Sequence, residues 1–433
     1  MESDNKFKII LTAVFGFFII AGLLAFANYK STNTSTSNVE VTVWGTIDKT
    51  LFDSYISKFK QDYTLEFNLT YTQKDFSTFD SELVEAIATG KAPDSILVSQ
   101  ELIKRYSDKV NYITSITERD FKDTYVQEAE LYLDSEKKVF AIPFFIDPLV
   151  MYWNRDTFAS AGVVNPPTKW SEFPLLVDKF TESNANANIT KSLVSFGEYS
   201  NVDNAKAIIS ALLLQAGSKI VTVDNNGIYS ASLYTKTSED ISIPAVSALT
   251  FYTDYSNPKK SVYSWNKSLP SSKQSFLAEN LALYFGFSTE YSDIKEKNPN
   301  LNFDVAVIPQ VVGATAKTTF GELYGFAFLK SGANIQEAYN VVSLLASPEG
   351  VKTFLSFTDV APARRDLISA GTSDSALSVF YNSSLISKGW IDPDNAKTEK
   401  IFKDMVENVS TGRMSVSDSV QTANTVLGSL FNK

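Results

Sequence analysis

The sequence contains no cysteine and no histidine among its 433 residues. Without cysteine it has no disulfide, no thiolate nucleophile, no cysteine metal site and no lipid-modified cysteine tether. Without histidine it lacks the usual general base and the commonest transition-metal ligand. The chain also contains no nucleophile-elbow motif and no phosphate-cradling glycine motif. These absences exclude most catalytic chemistry, and we predict neither a metal site nor a cofactor.

Long basic runs are also missing. The net charge is −10 and the pI is about 4.8, and no cluster of Lys and Arg is long enough to follow a phosphate backbone. Nucleic acid is therefore not an expected partner. Aromatic residues, by contrast, are plentiful: 31 Phe and 20 Tyr leave many rings to line a cleft. The hydrophobic fraction of 44% is ordinary for a folded soluble protein.

One long apolar run lies near the start of the sequence. Residues 9–27 (IILTAVFGFFIIAGLLAFA) are uncharged and approach the ~20 apolar residues that cross a bilayer. Because lysines precede this run, the positive-inside rule places residues 1–8 in the cytoplasm and the body of the protein outside the cell membrane. A cleavable signal peptide is the alternative, although the run exceeds the ~7 to 15 residues of a signal core. Residues 28–38, rich in Ser, Thr and Asn, predict a flexible linker.

Strand and helix patterns alternate after residue 38. The predicted units are a strand over 39–45, a helix over 51–59, and strands over 65–71 and 95–98. This alternation predicts a parallel sheet covered by helices, in which ligands bind beyond the carboxyl ends of the strands. Trp44, Gly45 and Thr46 stand at the end of the first strand, and we predict that they line a ligand pocket.

A bent apolar segment occupies the middle of the chain, at residues 140–162. Pro143 and Pro148 fix backbone angles and remove hydrogen-bond donors, so the predicted strand is bent. Single cores stop growing near ~250 to 300 residues, so a chain of this length is expected to form two lobes. We predict that the chain passes from one lobe to the other in this segment, and that Asp147 supplies a carboxylate at that crossing.

The sequence of this segment resembles that of the extracellular solute-binding proteins of ABC importers, above all the sugar-binding group that includes maltose-binding proteins. The similar motifs here are AIP at 141–143, DPL at 147–149, YWNRD at 152–156 and AG at 161–162. Shorter matches are VTVWG at 41–45, GKAPD at 90–94, ALYFG at 282–286, APARRD at 361–366 and GR at 412–413. Their order and spacing cover nearly all of the chain after residue 38.

The resemblance implies an α/β, two-lobed periplasmic-binding-protein-like fold of type II. Each lobe is expected to be a mostly parallel sheet flanked by helices, and three hinge crossings are expected to join the lobes. Lobe 1 is predicted to comprise residues 39–145 and 325–360, and lobe 2 residues 146–324 and 361–433. An N-terminal transmembrane helix would precede them.

The resemblance also implies the function. The protein is expected to be a membrane-anchored extracellular solute-binding protein that closes around a sugar or oligosaccharide and delivers it to an ABC permease. The family supplies ring contacts from the second lobe, which points to Trp265, Phe287 and Ser288. Tyr152 is predicted to cover an apolar sugar face.

Two further candidates lie at the returns of the chain. Tyr324 stands between Gly321 and Gly325, which are hinge-like positions, and is predicted to face the cleft. Arg364 at a crossing either bonds the ligand or pairs with an acidic neighbour.

Alternative functions remain open at the level of sequence. A membrane-tethered sensor or a surface adhesin would use the same lobes without transport. A glycosidase needs only two suitably spaced carboxylates, for which Asp147 is the candidate. The ligand is also open, since an acidic pocket suits polyamines or other cations, and short peptides are a further class.

Overall fold

The computed structural model describes residues 39–224, 226–236, 242–314 and 316–431. Within these ranges no helix combines the length and the apolar character that a membrane span requires. The predicted cytoplasmic residues 1–8, membrane segment 9–27 and linker 28–38 lie outside the described residues.

Strands and helices alternate in the first part of the chain, as the sequence predicts. The elements are β1 (Glu40–Gly45), α1 (Lys49–Tyr63), β2 (Asn68–Gln73), α2 (Phe79–Ala88), β3 (Ser95–Ser99), α3 (Gln100–Ile103) and α4 (Glu118–Thr124). In β1 the alternating Val41 and Val43 are fully buried. Helix α1 begins where the Asp48 carboxylate accepts a hydrogen bond from the Leu51 N–H, which satisfies one free donor of its first turn.

The middle of the chain starts with one long strand and continues through shorter elements. They are β4 (Ile142–Asn154), α5 (Arg155–Ser160), α6 (Phe173–Phe180), β5 (Glu182–Ser183), β6 (Ile189–Val194), α7 (Ala205–Gln215), β7 (Val221–Val223), β8 (Tyr229–Ala231), α8 (Pro244–Asp254), α9 (Ser272–Leu277), β9 (Leu281–Phe287), α10 (Glu290–Lys297) and β10 (Phe303–Ala306).

The last part is mainly helical after one long return strand. It contains β11 (Gly321–Phe328), α11 (Ile335–Leu345), α12 (Pro348–Leu355), β12 (Ala361–Pro362), α13 (Arg365–Ala370), α14 (Ser375–Leu385), α15 (Asn395–Ser410) and α16 (Val416–Ser429).

The main sheet has 10 strands and mixed direction, with the order β2-β1-β3-β11-β4-β9-β6-β5, and β10 and β12 also pair with β4. Strand β1 is parallel to β2 and β3, and β6 is parallel to β9. The pairs made by β11 and β4 are antiparallel. The prediction of mostly parallel sheets is therefore wrong, because the long strands that return between the two halves run against their neighbours.

Strand β4 belongs to both halves of this sheet. Its first part, from Ile142 to Pro148, pairs with β11, and its second part, from Leu149 onward, pairs with β9 and β10. The bent segment that the sequence singles out is thus the strand on which both halves are assembled.

Two hydrophobic cores lie on either side of this strand. The first contains residues between Val41 and Ile146 and between Leu323 and Ile368. The second contains residues between Leu149 and Phe320, Ala361, and residues between Ala376 and Leu427. The first core reaches Ile368 and so includes residues beyond 360, where the sequence predicts that lobe 1 ends. Each core packs helices against one half of the sheet, which defines two lobes.

Candidate ligand-binding cleft

A cleft of about 900 Å³ opens between the two cores. Its wall includes residues that follow β1 or belong to α3 on one side, and residues around α7, the end of β9 and the start of α15 on the other. Strand β11 contributes Glu322 and Tyr324. The lining residues are Thr46, Phe76, Glu101, Tyr199, Ser200, Val202, Asn204, Ala205, Lys206, Ala207, Phe287, Phe320, Glu322, Tyr324, Asn395, Ala396, Glu399, Lys400 and Lys403.

The floor of the cleft follows the alternation of β11. Side chains two residues apart on a strand point to the same face, and Phe320, Glu322 and Tyr324 all line the cleft. The Tyr324 ring stacks on Phe145 of β4, with centroids 4.6 Å apart and planes 11° from parallel. Its hydroxyl donates to Glu322 Oε2 over 3.3 Å. The strand thus presents a carboxylate between two rings.

Five aromatic side chains face the cleft: Phe76, Tyr199, Phe287, Phe320 and Tyr324. Phe287 and Phe320 meet edge to face with centroids 6.4 Å apart. Rings of this kind offer flat apolar surface, and a few polar groups placed among them fix the orientation of a ligand.

A buried ion cluster joins the two lobes at one side of the cleft. Lys206 Nζ of α7 lies 2.6 Å from Asp392 Oδ2 and 3.4 Å from Glu101 Oε1 of α3, and it also donates to Asn395 Oδ1. Burial acts to lower the pKa of Lys206, but the carboxylates of Glu101 and Asp392 outweigh it and raise that pKa above its usual range. Lys206 therefore stays charged and holds residues of both lobes together.

Glu322 has an unusual environment for a carboxylate. Loss of water on burial, and then the nearby Glu101 and Asp147 carboxylates, raise its pKa to about 8. Burial likewise raises the pKa of Glu101, although Lys206 opposes the change. A pKa near 8 leaves Glu322 mostly protonated at neutral pH.

Of the residues predicted from the sequence, Thr46, Phe287 and Tyr324 line the cleft. The Thr46 hydroxyl oxygen is buried and has no hydrogen-bond partner among the described residues, so it is free to bind a ligand. Trp44 and Gly45 precede it on β1. Lys74 Nζ lies 3.9 Å from the centre of the Trp44 ring. A Cβ at Gly45 would lie 2.6 Å from the Tyr71 hydroxyl oxygen, so this glycine allows close packing of β1.

The predicted Asp147, Tyr152 and Ser288 surround the turn that carries Phe287. Asp147 Oδ1 accepts hydrogen bonds from Ser288 Oγ at 2.7 Å and from the Thr289 N–H at 3.1 Å, and Thr289 Oγ1 donates to Oδ2 at 2.6 Å. The Tyr152 hydroxyl donates to the Phe287 carbonyl oxygen at 2.6 Å. These contacts fix the end of β9 and thereby hold the Phe287 ring at the cleft.

Seven of the ten predicted residues are absent from the lining: Trp44, Gly45, Asp147, Tyr152, Ser288, Trp265 and Arg364. Trp265 is 1% exposed in the second core, and its indole N–H donates to Asn201 Oδ1 at 3.3 Å. Arg364 pairs with Asp366, with Nη2 to Oδ2 at 2.9 Å, which is the acidic-neighbour alternative for this residue. Its guanidinium also lies 5.9 Å from the centre of the Tyr125 ring.

Sequence reasoning missed Glu101, Lys206 and Glu322. Glu322 shares the strand alternation of Tyr324, so extending that pattern by two residues would have found it. Lys206 is a lone charge in the otherwise apolar start of α7, which is a usable signal. Glu101 carries no such signal, since its role depends on a helix of the other lobe. Within the described ranges, no group of three or more acidic side chains is arranged to hold a metal ion.

The fold and the cleft between its lobes define a solute-binding protein. The model of the family described as bacterial extracellular solute-binding protein matches residues 46–352, and the chain belongs to this family. This places it among binding proteins and not among enzymes.

Two solved structures have a similar fold. The GacH receptor of Streptomyces glaucescens, solved without ligand and with acarbose or an acarbose homolog, matches with a TM-score of 0.69 and 16% identity, covering 91% of this chain and 98% of the receptor. An ABC transporter solute-binding protein of Thermotoga lettingae bound to α-D-tagatose matches with a TM-score of 0.68 and 17% identity, covering 90% and 99%.

Curated sequence relatives match a smaller part of the chain. Proteins of Brucella abortus and Brucella suis described as binding proteins are 21% identical over 262 residues, which is 57% of this chain and 55% of theirs. The match thus spans about half the length of these relatives.

Proposed function

We propose that this protein captures a sugar or oligosaccharide in the cleft between its lobes and delivers it to the permease of an ABC transporter. The observation that carries the proposal is the cleft itself, which is lined by five rings and by polar groups from both lobes. The saccharide ligands of the two similar structures support the choice of substrate class.

Hinge closure is the proposed mechanism. The lobes that move are the predicted ones, residues 39–145 with 325–360 and residues 146–324 with 361–433, except that residues 363–368 move with the first lobe because their apolar side chains lie in its core. The passes of chain between the lobes act as hinges. A ligand stabilises the closed form only to the extent that it binds that form better than the open one. The Glu101–Lys206 contact supports this mechanism, because it is an interaction between lobes that closure would form and opening would break.

The proposed contacts follow from the lining. Phe287 and Tyr324 cover apolar faces of the sugar, and the unpartnered Thr46 hydroxyl bonds one of its hydroxyl groups. Asn395 and Glu399 at the start of α15 supply further polar atoms. The sequence-predicted Asp147, Tyr152 and Ser288 act by positioning Phe287.

A thermal-shift screen followed by calorimetry tests the proposal. The panel contains malto-oligosaccharides, acarbose and tagatose, with polyamines and short peptides as competing classes. A ligand at 100 times its Kd stabilises the native state by about 2.7 kcal/mol, which raises Tm measurably. Phe287→Ala should weaken saccharide binding at least tenfold, whereas Val164→Ala, at a position 83% exposed, should leave it unchanged. If only peptides raise Tm, the substrate class is wrong.

Membrane attachment is a separate part of the proposal. We propose that residues 9–27 anchor the protein with its binding lobes outside the cell membrane. The uncharged run and the absence of cysteine for a lipid tether support this arrangement. Fractionation should find the full chain with membranes and a version without residues 9–27 in the soluble fraction; equal solubility of both would contradict it.

A further inference from the structure

We infer that the floor of the cleft receives a cationic group of the ligand, an ammonium such as that of an amino sugar, between the Glu322 carboxyl and the rings of Phe287, Phe320 and Tyr324. This inference rests on the proposed capture of a saccharide, and it narrows the chemical class of that saccharide.

The first argument is the set of acidic groups close to Glu322. Glu322 pairs in register with Asp147 across β11 and β4, and Glu101 and Glu128 also raise the energy of a negative charge in this region. Three ammonium groups also line the cleft: Lys206, which is already bonded to Glu101 and Asp392, Lys400, which pairs with Asp404, and Lys403 on α15. Without a ligand, protonation of Glu322 removes this repulsion, whereas one bound positive charge would stabilise the ionised carboxylate.

The second argument is the way in which Glu322 is bonded. Its side chain accepts a hydrogen bond from the Tyr324 hydroxyl at 3.3 Å, and the ion pairs among the described residues do not include it. Lys400, which also lines the cleft, pairs with Asp404 on its own helix. The carboxyl is therefore available to a ligand and is not spent on a structural contact.

The third argument is the set of rings around that carboxyl. Tyr324 of β11 and Phe320, the residue just before that strand, line the cleft together with Glu322, and Phe287 meets Phe320 edge to face. Aromatic faces attract cations through the ring quadrupole, and a carboxylate beside them adds direct charge pairing. Neutral hydroxyl groups gain only the hydrogen bond, so an amine should be preferred at this position.

A proton balance follows from this arrangement. Glu322 is mostly protonated below its pKa of about 8 in the empty cleft. A cation favours the ionised form, so binding lowers that pKa and the O–H proton leaves to solvent. At pH 7 the binding of a fully protonated amine should release close to one proton.

Calorimetry with three matched disaccharides tests the preference. Cellobiose, the β-1,4-linked glucosamine dimer and its N-acetylated form share one linkage and differ at the second carbon. At pH 6 the glucosamine dimer should bind at least tenfold more tightly than the other two. Glu322→Gln should abolish that preference, so that the three disaccharides bind this variant within threefold of one another. Glu296→Gln, an exposed carboxylate outside the lining, is the matched control and should retain it.

The proton balance is measured with 1,4-diaminobutane at pH 7 in two buffers of different ionisation enthalpy. Wild-type protein should release a proton on binding and the Glu322→Gln variant should not; circular dichroism checks that the variant folds. Equal binding of all three disaccharides, with or without Glu322, would overturn this inference and leave saccharide capture standing. Binding of the diamine alone, dependent on Glu322, would support the cationic site and refute saccharide capture. Failure of every probe would refute both.

Discussion

Asp147 provides a prediction whose size follows from the structure. Its side chain is 7% exposed, and burial raises its pKa from the ordinary 3.8 to about 6, against the lowering effect of hydrogen bonds from Thr289 and Ser288. The folded state thus keeps a proton that the unfolded state has already released between pH 4 and 6. The stabilisation by this proton is complete below about pH 4 and is lost as the pH rises through 6.

The expected change is about 3 kcal/mol, because the pKa differs by about 2.2 pH units between the two states and each unit corresponds to about 1.36 kcal/mol. Asp147→Asn has no titrating proton here and keeps an oxygen that accepts from Ser288 or Thr289. Urea denaturation of wild type and variant should show that the variant gains about 3 kcal/mol relative to wild type between pH 4 and 7.5.

A control variant, Asp404→Asn, separates the effect of the Asp147 proton from pH effects on stability that are common to the whole protein. Asp404→Asn, at a position whose side chain is 52% exposed, should differ from wild type by less than ~0.5 kcal/mol at both pH values. If Asp147→Asn and wild type give parallel stability curves across this range, the burial argument for Asp147 is wrong.

Three further predictions concern buried side chains. Lys206→Met should destabilise the fold by about 3–5 kcal/mol in urea denaturation, because it leaves buried carboxylates unpaired. The control Lys400→Met, at an exposed ion pair, should cost at most ~1 kcal/mol. Similar losses of stability in the two variants would contradict the prediction. Glu128 is 4% exposed, its oxygens lack partners among the described residues, and burial raises its pKa. Urea denaturation should therefore show Glu128→Gln gaining stability relative to wild type as the pH rises from 5 to 9, and a constant difference would refute the reasoning. Trp265→Phe should lower Tm without changing ligand affinity in calorimetry, and a loss of affinity at an unchanged Tm would restore this ring as a ligand contact.

Local patterns in the sequence predict much of the fold. The alternation of Val41 and Val43 gives β1, and Ser415 is a typical capping residue at the start of α16, where its Oγ accepts from the Asp418 N–H at 3.1 Å. Local patterns do not predict whether paired strands run parallel or antiparallel. The partners of β4 in β11 lie 173 to 184 residues further along the chain, and no local pattern states whether two distant strands run parallel.

The cleft was only partly predictable for a similar reason. Thr46 follows a strand end and Tyr324 stands between glycines, and such positions carry a signal in the sequence. Glu101 and Lys206 line the site through a contact between two lobes, which exists only after folding. The sequence around Trp265 predicts a loop with an exposed ring, yet tertiary packing buries this side chain.

The continuity of β4 has a consequence for how the molecule unfolds. A single strand of 13 residues supplies side chains to both cores and hydrogen bonds to both halves of the sheet. Disorder in either lobe frees part of the edge on which the other is built, so the two lobes should melt cooperatively. Strain applied to one lobe is transmitted along the backbone of β4 to the other lobe. Bending in the middle of β4 changes the orientation of one lobe relative to the other.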